Sequence, residues 1–243
     1  MKVIITMAGK GERFSRAGYG VPKILTGVSG KPMFAHAISS LKGAGYENFI
    51  FICLREHCEK FGLEEKLMEF TGGKGRVVSI PEPTRGQAET ALMAGGLVRE
   101  DEDILIYNAD SVFRSPILGL IKKGRGKIDG MITLFESNDP SLSYARIERG
   151  RIVEVAEKKV ISGYATVGAY YFGSWRMFSS YAGGMISANE RTRDEFYIAP
   201  IYQKMIRDGK VVLPDYADYF ADLGTPEKLE GYKPQKRQLR SRE

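Results

Sequence analysis

Four short apolar runs punctuate the first half of the chain, and the stretches between them carry helical spacing. Residues 3–5, 48–54, 76–80 and 103–107 are dense in Val, Ile, Leu and Phe. That composition, without polar alternation, suits strands buried on both faces. Between them, Met33, Phe34, Ala37, Ile38 and Leu41 recur at helical intervals to about Gly43. Residues 56–70 and 88–98 also read as helices. Strands alternating with helices at this pitch predict an α/β fold, a parallel sheet joined by right-handed crossovers. Ligands of such sheets sit outside the carboxyl ends of the strands. The second half changes character. Residues 128–135, 144–148, 152–156 and 165–172 read as strands with few helices between them, and are expected to extend the sheet. Helices are expected over 175–181, 196–206 and 226–232, and short strands over 211–213 and 219–221. With no internal repeat and no low-complexity linker, the expectation is one domain over 1–232, with halves of about 1–125 and 126–232, and a basic tail over 233–243.

The first strand runs directly into Ala8-Gly9-Lys10-Gly11-Glu12-Arg13. Two glycines and an alanine put no bulk between backbone and ligand, so several N–H groups can face one anion. Lys10 and Arg13 add positive charge, and Lys23 follows behind Pro22, whose ring fixes the local backbone. Such a turn suits a triphosphate. It is not a P-loop, which needs Gly-Lys-Ser/Thr after four spacers. It is not Gly-x-Gly-x-x-Gly either, because Phe14 stands where the third glycine belongs.

Charge narrows the partners. The net formal charge is +6, and the tail over 233–243, with five basic residues and one acid, supplies +4 of it. The remaining +2 leaves no basic stripe with interleaved aromatics, so nucleic acid is not an expected partner. No apolar run reaches the length of about 18 residues that a membrane helix needs. Met1-Lys2 and the few apolar residues after it are too short for a secretory signal, so a cytosolic location is the default. Cys53 and Cys58 with His57 do not make the four-ligand pairing of a structural zinc site.

Two further segments carry chemistry of their own. In Pro81-Glu-Pro-Thr-Arg-Gly86-Gln87, two prolines stiffen the loop, Gly86 lets a flat ring approach the backbone, and Gln87 can donate and accept in one plane, as a base edge requires. Asp110 follows the strand at 103–107, and a carboxylate there, close to a phosphate loop, can hold Mg²⁺.

Gly9-x-Gly11-x-Arg13-Phe14, then Pro22-Lys23, then Val28-x-Gly30-Lys31-Pro32-Met33 resembles the amino-terminal signature of the nucleotidyltransferases that include the sugar-1-phosphate pyrophosphorylases. The resemblance spans roughly residues 2–232. It implies a Rossmann-like, mostly parallel mixed sheet flanked by helices, the GT-A-like nucleotidyltransferase fold. It also implies transfer of a nucleotidyl group from an NTP to a phosphorylated acceptor, with Mg²⁺ as cofactor and a possible homo-oligomer. By resemblance, Ala8, Gly9, Gly11 and Gly86, and less directly Gln87, bind the nucleotide. Arg13 holds the triphosphate and Lys23 lies near the α-phosphate. Asp222, in Asp222-Leu-Gly-Thr-Pro226, is the second metal ligand beside Asp110. Lys158 meets the acceptor phosphate, Glu157 an acceptor hydroxyl, and Gly168 belongs to the Gly-x-Tyr strand beside them. Two departures bear on substrate choice: Ile80 replaces a glutamine found in some sugar-activating members, and Ala145 replaces a glycine that often lies against the sugar; Lys159, in place of a proline, bears on the local turn. Ile80, Ala145 and the short chain leave a cytidylyltransferase for a small non-sugar phosphate, such as a phosphorylated amino alcohol, as an alternative. A catalytically silent nucleotide-binding regulator is another, although a silent copy need not keep Arg13, Lys23, Asp110, Lys158 and Asp222 together.

Overall fold

A computed structural model describes residues 1–234. The tail expected over 233–243 therefore falls almost wholly outside the described residues. In chain order the first half holds β1 (Lys2–Met7), α1 (Glu12–Arg16), β2 (Gly27–Val28), β3 (Lys31–Pro32), α2 (Met33–Ser39), β4 (Phe49–Leu54), α3 (Arg55–Phe61), α4 (Leu63–Thr71), β5 (Arg76–Ile80) and α5 (Gln87–Leu92). Then come β6 (Ile104–Asn108), β7 (Ser111–Arg114), α6 (Ile117–Gly124), β8 (Gly130–Glu136), β9 (Tyr144–Glu148), β10 (Arg151–Ala156) and β11 (Tyr164–Phe172). The chain ends with α7 (Trp175–Ser187), α8 (Ala199–Arg207), β12 (Val212–Tyr216), β13 (Tyr219–Asp222) and α9 (Pro226–Glu230).

The main sheet is mixed, as the resemblance implies. The strands β5, β4, β1 and β6 lie side by side and parallel, and β11 joins β6 antiparallel. Beyond β11 come β9 and β10 along one branch, β8 and β12 along another. Alternate residues of β1 feed two core layers. Ile4 faces a layer with Ile50, Ile52 and Ile106, and Val3 and Ile5 face one with Phe49, Phe51 and Leu105. Burial on both faces explains why these strands lack polar alternation.

The order β4-β1-β6 reverses direction of travel at β1. The crevice outside the carboxyl ends of β1 and β6 is therefore the expected ligand position in a doubly wound sheet. The glycine turn leaves β1 there and Asp110 leaves β6 there.

Several boundaries differ from the sequence expectation, each for a local reason. The helix expected over 56–70 is two helices, broken at Gly62 with φ 62°. The helix expected over 88–98 stops at Leu92, with only a short 3-10 turn at Gly95–Leu97. The helix expected from 196 starts at Ala199, because the Phe196 backbone pairs with Arg85 and Ala88 instead. The helix expected over 175–181 runs on to Ser187. Neither α6 nor β7 was expected. The second of these matters most: β7 and β13 form a separate antiparallel ribbon in which Ser111 faces Asp222.

Candidate active site

The residues that the sequence singled out line a single cleft of about 810 Å³. Its floor is the end of β1 and the glycine turn, with Ala8, Gly9, Gly11 and Arg13. The amides of Gly9, Lys10 and Gly11 donate to no main-chain acceptor among the described residues, which leaves them available to an anion. Nothing lies within 4 Å of where a Gly9 side chain would start, so its bareness is open space for ligand. Gly11 has φ 65°, and a side chain there would press on Lys23 Cβ at 3.1 Å. Glycine thus allows the turn and lets Lys23 lie against it. Phe14, the residue that breaks the dinucleotide fingerprint, is 1% exposed and packs with Met33, Leu223 and Leu229. That small cluster ties α1 to the segment after Asp222.

The two aspartates, 112 positions apart in sequence, meet here. Leu223 N donates to Asp110 O at 2.8 Å, continuing the β7–β13 ribbon into the loop between the two residues. A Cβ built on Gly224 would lie 2.8 Å from Asp222 Oδ1 and 3.4 Å from Asp110 Oδ2. The two oxygens are thus no farther apart than the sum of those distances, across a gap only glycine leaves open. Each carboxylate already holds a cation. Lys23 Nζ lies 2.6 Å from Asp110 Oδ2, and Lys228 Nζ lies 2.6 Å from Asp222 Oδ2. Burial pushes the Asp110 carboxyl up, but the Lys23 ammonium more than offsets this and holds it below the usual carboxylate range. Lys228 also faces Asp139 Oδ2 at 3.8 Å. Among the described residues no third His, Cys, Asp or Glu joins the pair. Two hard oxygen donors and no more is the donor set that suits Mg²⁺, which takes one or two carboxylates and completes its shell with water and substrate phosphates.

A family model described as nucleotidyl transferase matches residues 2–238. This chain belongs to the nucleotidyl transferase family. It is 25% identical over 244 aligned positions to the bifunctional protein GlmU of Sulfurovum, covering 95% of this chain and 52% of that protein. The chain therefore spans about half the length of that curated relative. It is 28% identical over 120 positions to a CMP-5'-(3-aminopropyl)phosphonate synthase of Streptomyces rubellomurinus, covering 49% of this chain and 18% of that protein. Its fold matches that of a nucleoside-diphosphate-sugar pyrophosphorylase from Vibrio cholerae with TM-score 0.82 and 24% identity, covering 94% of this chain and 98% of the other.

The rest of this nucleotidyl transferase cleft refines the sequence reading. Gly86, with φ 147°, lines the cleft, but its missing side chain is needed for another reason. A Cβ there would lie 2.6 Å from Phe196 O and 2.9 Å from Phe196 C, so the Phe196 backbone, not a base, uses the space. Gln87 was expected to offer both a donor and an acceptor to a base. Its amide nitrogen instead donates to Thr6 Oγ1 at 3.3 Å and to Asn108 Oδ1, so only its carbonyl remains for a base. Gly168, with φ 85°, sits in a register shift of β11. A Cβ on it would meet Asn108 Nδ2 at 2.5 Å. Asn108, which the sequence did not single out, thus links Gln87 to Gly168 across the cleft floor. We expect Gly168→Ala to cost about 1–3 kcal/mol for a side chain at positive φ, read as a lower urea midpoint with unchanged m-value.

The far end of the cleft holds Glu157 and Lys158. Ser143 Oγ donates to the Glu157 carboxylate, and burial pushes the Glu157 carboxyl up despite that bond. Lys158 has φ 52°, a left-handed conformation uncommon in a non-glycine residue. Its ammonium sits 4.7 Å from the Tyr197 ring centroid. Tyr197, Asp194 and Glu195 line the same end. Ile80 and Ala145, expected to shape the base and acceptor pockets, do neither directly. Both are buried in the core and absent from the cleft wall. Ser143, Tyr197, Gly224 and Lys228 also line the cleft, although none of them was singled out from sequence as a site residue.

Proposed function

We propose that this protein transfers a nucleotidyl group from an NTP to a phosphorylated small-molecule acceptor, foremost a sugar 1-phosphate, and releases pyrophosphate. The observation that carries this reading is the meeting of Asp110 and Asp222 across Gly224, beside the glycine turn.

The acceptor phosphate is already an anionic nucleophile at neutral pH, so the reaction asks for no strong base. One of its oxygens forms a bond to the α-phosphorus, the bond from that phosphorus to the β-phosphate oxygen breaks, and pyrophosphate carries the electron pair away. The obstacles are the approach of two anions and the charge that builds on the leaving group. Alignment and fixed positive charge meet both. The amides of residues 9–11 and the Arg13 guanidinium hold the triphosphate. Lys158 orients the attacking phosphate, and Glu157, kept in place by Ser143, accepts a hydrogen bond from an acceptor hydroxyl. Lys23, on Asp110 in the free protein, is within reach of the α-phosphate once the nucleotide is bound. Asp110 and Asp222 would hold Mg²⁺, which supplies Lewis-acid neutralisation of the phosphate charge.

A second reading is favoured by the acceptor end itself. Glu195 and Glu157 act electrostatically on Tyr197, as does Arg193, and the ring face carries the Lys158 ammonium in the free protein. An acceptor with an amino group, such as an aminoalkyl phosphate or phosphonate, would be seated there by charge and by cation–π attraction. The aminopropylphosphonate relative is consistent with it. One experiment decides between the two: pyrophosphate release with Mg²⁺, each NTP and dTTP being offered sugar 1-phosphates in one series and aminoalkyl phosphates in the other. Turnover with sugar 1-phosphates supports the first reading, and turnover confined to amino acceptors supports the second. No pyrophosphate from any pair would leave a nucleotide-binding regulator.

A further inference from the structure

One buried polar group in the cleft has no use in the reaction just described. His57 lies in α3, three residues past the end of β4, and is 7% exposed. Its Nδ1 is fully covered and has no hydrogen-bond partner among the described residues, so Nε2 is the ring nitrogen left to face a ligand in the cleft. Buried polar atoms are almost always paired, and each exception asks for an explanation. The ring lies on the wall of the active-site cleft, at the end bounded by Lys10 and Pro83. It also lies on the wall of an adjoining cleft of about 520 Å³, lined by Tyr19, Leu54, Phe61 and Pro81. Lys10, His57 and Pro83 are common to both clefts, so His57 stands at the seam where they meet.

The position along the cleft is what assigns a ligand. The carboxylate pair and Lys23 mark the phosphates, and Lys158 marks the acceptor. A nucleotide with its phosphates on the glycine turn and its acceptor at Lys158 would leave its base toward the loop over 81–87, which lines the cleft together with His57. Among the described residues, several of the other polar side chains there are engaged, although the Gln87 carbonyl and Lys10 are not. Gln87 donates to Thr6 and Asn108. Thr84 bonds Thr90 and Gly86, and Arg85 is held by Glu89.

We propose that His57 reads the nucleobase, its imidazole hydrogen-bonding a polar edge of the base and so setting which NTP is preferred. The inference rests on the nucleotidyl transfer reading and extends it to specificity. Burial holds the imidazole below its ordinary pKa, so at neutral pH the ring is uncharged, with one donor and one acceptor nitrogen. That is the chemistry of a base edge, not of a phosphate. A site built to bond a polar group discriminates sharply, because the wrong base leaves the buried partner unpaired.

The test is the affinity of the full-length protein for each of the four NTPs and dTTP, with inorganic tripolyphosphate as the base-free control, in wild type, His57→Phe and His57→Gln. Phe keeps the bulk and removes the polar atoms. Gln carries an amide out to about the position of Nε2. The proposal expects His57→Phe to weaken the preferred NTP about tenfold or more, to flatten the preference among bases and to leave tripolyphosphate binding unchanged. His57→Gln should restore part of the preference. In turnover the loss should appear in KM for the NTP and not in kcat. An unchanged base preference in a folded His57→Phe protein would overturn the proposal, as would an equal loss of tripolyphosphate affinity. Failure of the transfer reading looks different: wild type would then bind NTPs with a base preference yet release no pyrophosphate with any acceptor. Wild type that binds no NTP would overturn both.

Discussion

Asp110→Asn is expected to lower nucleotidyl transfer by on the order of a hundredfold or more while the protein stays folded. One well-placed electrostatic group of this kind is worth about 3 to 4 kcal/mol of barrier. The substitution keeps the shape and removes the charge that both Lys23 and a divalent cation need. Its structural cost is small, because Asp110 and Lys23 are each about a quarter exposed and water can solvate the freed ammonium. The main-chain bond from Leu223 to Asp110 O is untouched. Steady-state pyrophosphate release and a thermal melt, run side by side, check both halves. Near-normal turnover would remove Asp110 from the metal site.

Gly86→Ala should be far more damaging than its size suggests, and by a different route. The added methyl meets main-chain atoms of Phe196, and these cannot swing aside as a side chain could. Phe196 N donates to Arg85 O, and Ala88 N donates to Phe196 O, each at 2.9 Å. The contact clamps the loop over 81–87 to the segment that carries Asp194, Glu195 and Tyr197. Strain at the positive φ alone costs about 1–3 kcal/mol, and the main-chain overlap adds to it. We expect a stability loss of about 3 kcal/mol or more, with weaker affinity for both NTP and acceptor, since both ends of the cleft move together. Chemical denaturation and equilibrium binding of each substrate measure it. A stable protein that loses only NTP affinity would return Gly86 to the base-approach role expected from sequence.

These two glycines, 86 and 168, show what a sequence exposes and what it hides. Both stood out, and both matter. In each case the partner that needs the space is a residue distant in sequence, Phe196 or Asn108, and nothing local encodes that. The parallel core was legible because β-branched runs buried on both faces leave a plain pattern in Val3–Ile5 and in residues 49–53. The β7–β13 ribbon was not. Ser111–Arg114 alternates too briefly to read as a strand, and its partner lies more than a hundred residues away. Yet this ribbon, with the Phe14–Leu223–Leu229 contact, brings Asp222 to Asp110. The motif resemblance found both aspartates without the physical reason for their meeting. Lys228 left no trace, since a lysine on a helix reads as surface until the fold gives it neighbours, and His57 comes up in the sequence only as a candidate zinc ligand beside Cys53 and Cys58.

The central claim is that Asp110 and Asp222 form one cation site. Electron paramagnetic resonance of Mn²⁺, in the presence of a non-hydrolysable NTP analogue, reads that site without turnover. We expect Asp110→Asn and Asp222→Asn each to weaken Mn²⁺ binding about tenfold or more, and the double variant to be little worse than either, because side chains that share one ion act as a unit. Wild-type Mn²⁺ affinity in Asp222→Asn, or losses that simply add in the double variant, would contradict the shared site.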